Sequence, residues 1–161
     1  MKNKTLGAIE AHVEKGIPPQ VKPAYDRIVV AGLKIMFDPK SNGKIFAGAT
    51  QGDIPKRLAL ITASVINMIS MESKRTMPVD AGQAAAITLY LNALDFIAAA
   101  GALKIDQASV QGGLVALKAI LAQQLKVGAT QGQQAAPGAP AAPTQPPPQA
   151  PGGMINQKMG A

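Results

Sequence analysis

The sequence predicts an all-α fold: a compact domain of four to five helices over residues 1–128, followed by an extended C-terminal tail rich in Pro, Gly, Gln and Ala. Three observations carry that expectation. Apolar residues recur at helical spacing in four segments, with Pro or Gly in the intervals. The chain is 47% apolar but only 3% aromatic, with three Phe, two Tyr and no Trp. Such a core must be built from Ala, Leu, Ile, Val and Met, which suits packed helices better than a β-sandwich. Finally, residues 137–151 hold seven of the thirteen prolines (Pro137, Pro140, Pro143, Pro146, Pro147, Pro148, Pro151) and no charge. Proline has no N–H donor and a fixed φ, so this stretch is expected to be an extended spacer outside the helical domain.

Taken in order, residues 1–15 read as a short helix with Leu6, Ile9 and Val13 on one side, ended by Gly16-Ile17-Pro18-Pro19. A second helix starts near Pro23 and presents Tyr25, Ile28, Val29, Gly32 and Met36 at i, i+3, i+4, i+7 and i+11. Asp38-Pro39 and Ser41-Asn42-Gly43 break the chain, and residues 44–52 read as a loop with at most one helical turn. Asp53-Ile54-Pro55 is a start signal, a capping acid followed by a first-turn proline. The helix it opens, to about Arg75, aligns Leu58, Ile61, Val65, Met68 and Ile69, with Leu60 and Ile66 widening that face. The next helix opens at Pro78-Val79-Asp80, with Asp80 as candidate cap. Its body, 84–100, is apolar nearly all round: Ile87, Tyr90, Leu91, Leu94 and Ile97 form a stripe, with Leu89 and Phe96 off it. A helix without a polar face belongs at the centre of a bundle. Gly101 ends it, Asp106 caps a last helix striped by Val110, Leu114, Leu117, Leu121 and Leu125, and Gly128 is its expected stop.

Neither apolar segment reads as a membrane span. Residues 58–71 contain Ser64, Asn67 and Ser70, residues 84–100 contain Asn92 and Asp95, and both fall short of the roughly 20 apolar residues spanning requires. No continuous apolar run follows the basic N-terminus, so a secretory signal is not expected.

Net charge is +7; Lys158 is the only charged residue after 128, leaving fifteen basic against nine acidic residues, or +6, in the domain. That balance favours a polyanionic neighbour such as nucleic acid, an anionic membrane surface or an acidic protein. The basic residues are scattered, which equally fits ordinary solubility. Lys56-Arg57 and Lys74-Arg75, at opposite ends of one long helix, are the candidate polyanion contacts; solvated helix termini are the plainer reading.

Chemistry is scarce. Cysteine is absent, which excludes disulfides and thiolate ligands, and His12 is the only histidine, which excludes two-His zinc sites. Lying between Glu10 and Glu14, His12 reads as a solvated surface residue. Gly48-Ala49-Thr50-Gln51-Gly52 is followed by Asp53 where a phosphate-binding loop needs Lys. Asp95, in the most apolar segment, is expected to pair with a basic residue of a neighbouring helix or to lie at the edge of the stripe. No catalytic, cofactor or metal site is expected, and no cofactor; the chain reads as a non-enzyme. The tail divides into a flexible linker, 129–153, and a short terminal peptide, 154–161. There Met154, Ile155, Asn156, Gln157 and Met159 are candidate docking residues, because flexible thioether chains fill irregular grooves. A spacer of roughly 25 residues at about 3.1 Å each reaches on the order of 75 Å. The alternative is a frayed, solubilising end.

Three stretches resemble small virion proteins of tailed bacteriophages. Pro23-Ala24-Tyr25-Asp26-Arg27-Ile28-Val29-Val30-Ala31-Gly32-Leu33-Lys34-Ile35-Met36-Phe37-Asp38 looks like their opening helix. Met77-Pro78, then Leu94-Asp95-Phe96-Ile97 and Gly101, is similar to their central helix, and the spacer running into Gly152-Gly153-Met154-Ile155-Asn156-Gln157 is similar to their C-terminus. The resemblance implies an oligomerising, non-enzymatic part of the virion, made in the host cytoplasm during assembly. One implied role is an ejection or conduit component, associated with the portal or tail, that helps genome delivery. The alternatives are a static head, portal or tail component and a scaffold or assembly chaperone. Implied partners are further copies of the chain, portal, tail or ejection proteins, packaged DNA and, transiently, the host envelope.

Overall fold

The computed structural model describes residues 3–40 and 42–132, with side chains described up to residue 124. Six helices and no strand occur among the described residues: α1 (Lys4–Lys15), α2 (Lys22–Phe37), α3 (Asn42–Ala47), α4 (Ile54–Glu72), α5 (Val79–Ala99) and α6 (Gln107–Gly132). The all-α expectation holds, with one helix more than the sequence announces.

Most boundaries have local causes. The Asn3 side chain accepts the Thr5 N–H and caps α1. Proline in the first turn starts α2 and α4, and Asp53 caps α4 through the Lys56 N–H. Asp106 accepts the Ser109 N–H at the start of α6. Asp80 is not the cap of α5: Pro78 occupies that position, and Asp80 lies one residue inside the first turn, where its charge complements the helix dipole. Gly128 does not stop α6, which continues to Gly132. The extra helix, α3, occupies part of what reads as a loop. Too short to persist alone, it buries Phe46 against Phe37 of α2 and Phe96 of α5, with ring centroids 5.6 and 4.9 Å apart. Phe37 and Phe96 close the triangle at 5.2 Å, so all three phenylalanines of the chain share one cluster.

Helix α5 is central, packed against α1, α2, α4 and α6. Of the expected stripe, Tyr90, Leu91, Leu94 and Ile97 are buried and Ile87 is half-buried, while Leu89, expected off it, is buried too. Leu89 faces Gly32 of α2, where an added Cβ would collide with its side chain, so the glycine makes the helix approach possible. Gly113 does the same for α5 and α6: a Cβ there would collide with the Tyr90 hydroxyl. Polar ties complete the assembly. Tyr25 and Thr88 share a buried hydrogen bond of 2.9 Å, Asn92 donates to Glu10 at 3.3 Å, and Asp95 accepts the Asn3 N–H at 3.0 Å. Asp95 thus sits at the edge of α5 and secures the start of α1, as one of its two expected readings had it.

Candidate functional site

Helix α4 buries Leu58, Ala59, Thr62, Ala63, Val65, Ile66 and Ile69. Its opposite side turns Leu60, Ser64, Asn67, Met68 and Met71 to the surface. At i, i+4, i+7, i+8 and i+11 these form one face about 17 Å long at 1.5 Å per residue. Leu60, Met68 and Met71 are 54%, 46% and 61% exposed, and no residue from 58 to 71 is charged. This corrects two expectations, because Met68 and Leu60 were assigned to the inward face. An amphipathic helix normally covers its solvent side with Lys and Glu. This one does not.

The two basic pairs flank that face. Their separation, eighteen residues from Lys56 to Lys74, is about 27 Å along a helix, so they form no joint patch. At the start of α4, Lys56 Nζ lies 2.8 Å from the Asp53 carboxylate. This bond holds the Asp53 carboxyl below the usual range and raises the Lys56 ammonium above its own. Arg57 Nη1 donates to the Gly48 carbonyl at 2.8 Å. Both side chains are exposed and partly committed to local structure.

At the other end, Arg75 N–H bonds to Ser70 O at 2.8 Å and Lys74 N–H to Met71 O at 3.0 Å, the double closure that ends many helices. Helix α5 ends with the same pair of bonds, from Ala102 to Ile97 and from Gly101 to Ala98, and places Gly101 at φ 78°. Helix α4 instead holds Lys74 and Arg75 at φ 51° and 59°, each costing roughly 1–2 kcal/mol relative to right-handed backbone. The strain keeps two cations where a glycine would be cheaper.

Beside this turn lies an open cleft of about 360 Å³ between α2, the end of α4 and the connection to α5. Ala24, Ile28, Ala31 and Ile69 line it with apolar surface, and Arg27, Glu72 and Thr76 supply its polar groups. The Ser73 and Thr76 hydroxyls already donate to the Ser70 and Ser73 carbonyls. The cleft pairs no nucleophile with a base.

His12 is exposed on α1, as expected. Among the described residues, no group of three or more His, Cys, Asp or Glu could hold a metal ion. No helix among them is long and apolar enough to cross a membrane. The docking candidates Met154, Ile155, Asn156, Gln157 and Met159 lie outside the described residues. The described residues present a surface: an uncharged helix face between two basic ends. Its lack of charge did not reveal it in the sequence, since residues 81–94 of α5 form an equally long uncharged run and are largely buried. Comparison with protein-family models, curated proteins and solved structures finds no match.

Proposed function

We propose that this chain is a non-enzymatic, oligomerising subunit of a tailed-phage particle, an ejection or conduit component associated with the portal or tail. The observation that supports the assembly role is the outer face of α4. Interface centres are depleted of charge and enriched in Met, and this exposed helix side has both properties over three turns. The resemblance of the front, middle and C-terminal stretches to small virion proteins supplies the particle. In this reading residues 154–159 dock on a portal, tail or ejection protein, with the residues between α6 and that peptide, 133–153, as tether. Lys74 and Arg75 meet packaged DNA, with Lys56 and Arg57 as a second contact. Contact with the host envelope is transient, and the chain passes from the host cytoplasm into the virion.

Mass spectrometry of purified particles, before and after genome release, tests the role. Several copies per full particle and depletion from emptied ones are expected. Retention after release would make the protein a static component, absence from mature particles a scaffold, and one copy per particle would end the oligomer reading.

A further inference from the structure

We infer that the end of the bundle around α3 binds the phosphate backbone of duplex DNA. The inference rests on the reading in which the chain meets packaged DNA, and it adds the surface that does so. Its warrant is that the fold gathers cations the sequence leaves scattered. Phe46 packs on Phe37 and Phe96, which sets α3 against the last turns of α2 and α5. The bond from Arg57 Nη1 to Gly48 O brings in the start of α4, and the bond from Asn3 N–H to Asp95 brings in the start of α1. Lys4, Lys34, Lys40, Lys44, Arg57 and Lys104 lie on these segments or their connections, and all six are exposed. Among the described residues none of the six is in an ion pair. The acids at this end spend their oxygens elsewhere. Asp38, Asp53, Asp95 and Asp106 each accept a backbone N–H, from Lys40, Lys56, Asn3 and Ser109, and Asp53 also holds the remaining cation, Lys56. Seven basic against four acidic side chains leave this end at +3. Among the described side chains of the opposite end, Lys15, Lys22, Arg27, Lys74 and Arg75 stand among Glu14, Asp26, Glu72 and Asp80, with Lys22 held by Asp26. Glu10 and Lys118 lie between the two ends. A surplus of exposed, unpaired cations on one side of a molecule suits a row of phosphates, whose counterions it displaces. A lipid surface asks for an apolar anchor as well, and Phe96, the large apolar side chain exposed at this end, is held in the ring cluster.

A labelled duplex of random sequence, titrated with the full-length protein and followed by fluorescence anisotropy at several salt concentrations, tests this. Binding at about 50 mM salt that weakens steeply as salt rises is expected. Lys40→Gln, Lys44→Gln and Lys104→Gln combined should weaken it about tenfold or more. The slope of log K against log salt should fall by about 2.7, since each lost phosphate contact removes about 0.9. The melting temperature should not change, because all three side chains are exposed. Arginine at the same three positions should bind as the wild type does. Lys74→Gln with Arg75→Gln should have the smaller effect. If that pair carries the loss and the triple glutamine variant binds normally, this inference fails while the DNA contact of the assembly reading stands at the other end. If the duplex is not bound even at low salt, both fail. Binding to phosphatidylglycerol vesicles without binding to the duplex would make the surface a membrane contact and overturn the inference. The place of the protein in the particle, read by mass spectrometry, is independent of each of these results.

Discussion

The Tyr90 hydroxyl and Thr62 Oγ1 are buried without a hydrogen-bond partner among the described residues. Burial of an unpaired hydroxyl costs roughly 1–3 kcal/mol, so Tyr90→Phe is expected to leave the unfolding free energy unchanged or raise it in a denaturant titration. A clear loss would mean that the hydroxyl has a partner. Gly113→Ala should cost about 1–3 kcal/mol by overpacking the α5–α6 seam. Combining the two changes should recover only part of that loss, because the ring carbon beneath the hydroxyl also stands in the way of the new methyl group. At the end of α4 the sign reverses. Lys74→Gly should stabilise the fold by about 1 kcal/mol by relieving left-handed backbone. If the basic turn meets a polyanion, the same change should weaken binding to DNA at low salt, and a salt titration would show it.

At the level of helices, the inward stripe of α5 makes a sharp test. Leu94 is fully buried and Lys118 on α6 is exposed. Leu94→Asp should remove several kcal/mol by stranding a charge in the core, whereas Lys118→Asp should stay within about 0.5 kcal/mol. Equal effects would mean that the faces are misassigned. Helix starts and stops were largely legible in the sequence because their causes are local: Asp53-Ile54-Pro55, Asp106 and Gly101 each act within a turn of their own position. Asp80 misled because Pro78, two residues earlier, already serves as the boundary. Gly128 misled because glycine permits a helix stop without compelling one. Helix α3 was hidden because what holds it is Phe37 and Phe96, nine and fifty residues away from Phe46. The α4 surface was concealed by its own composition. Leu60 and Met68 have core chemistry, and a 3.6-residue period cannot say how wide the buried face is once polar markers are missing.

For the molecule as a whole, deletion of residues 154–161 should leave the melting temperature of the helical domain unchanged and reduce incorporation into particles. Incorporation at the wild-type level would show that the terminal peptide docks on nothing. The core itself carries a built-in reporter. The chain has no Trp, and its two tyrosines, Tyr25 in α2 and Tyr90 in α5, are both buried. Burial pushes both phenols above their ordinary value. Because the folded values are raised, the stability they confer is intact below about pH 10, where an unfolded tyrosine ionises, and drains away as alkali rises beyond it. Phenolate absorbance should then appear in a single step together with the collapse of the helical signal, instead of as a gradual titration of the native state. Two aromatic rings would report, without any label, the moment at which the whole bundle opens.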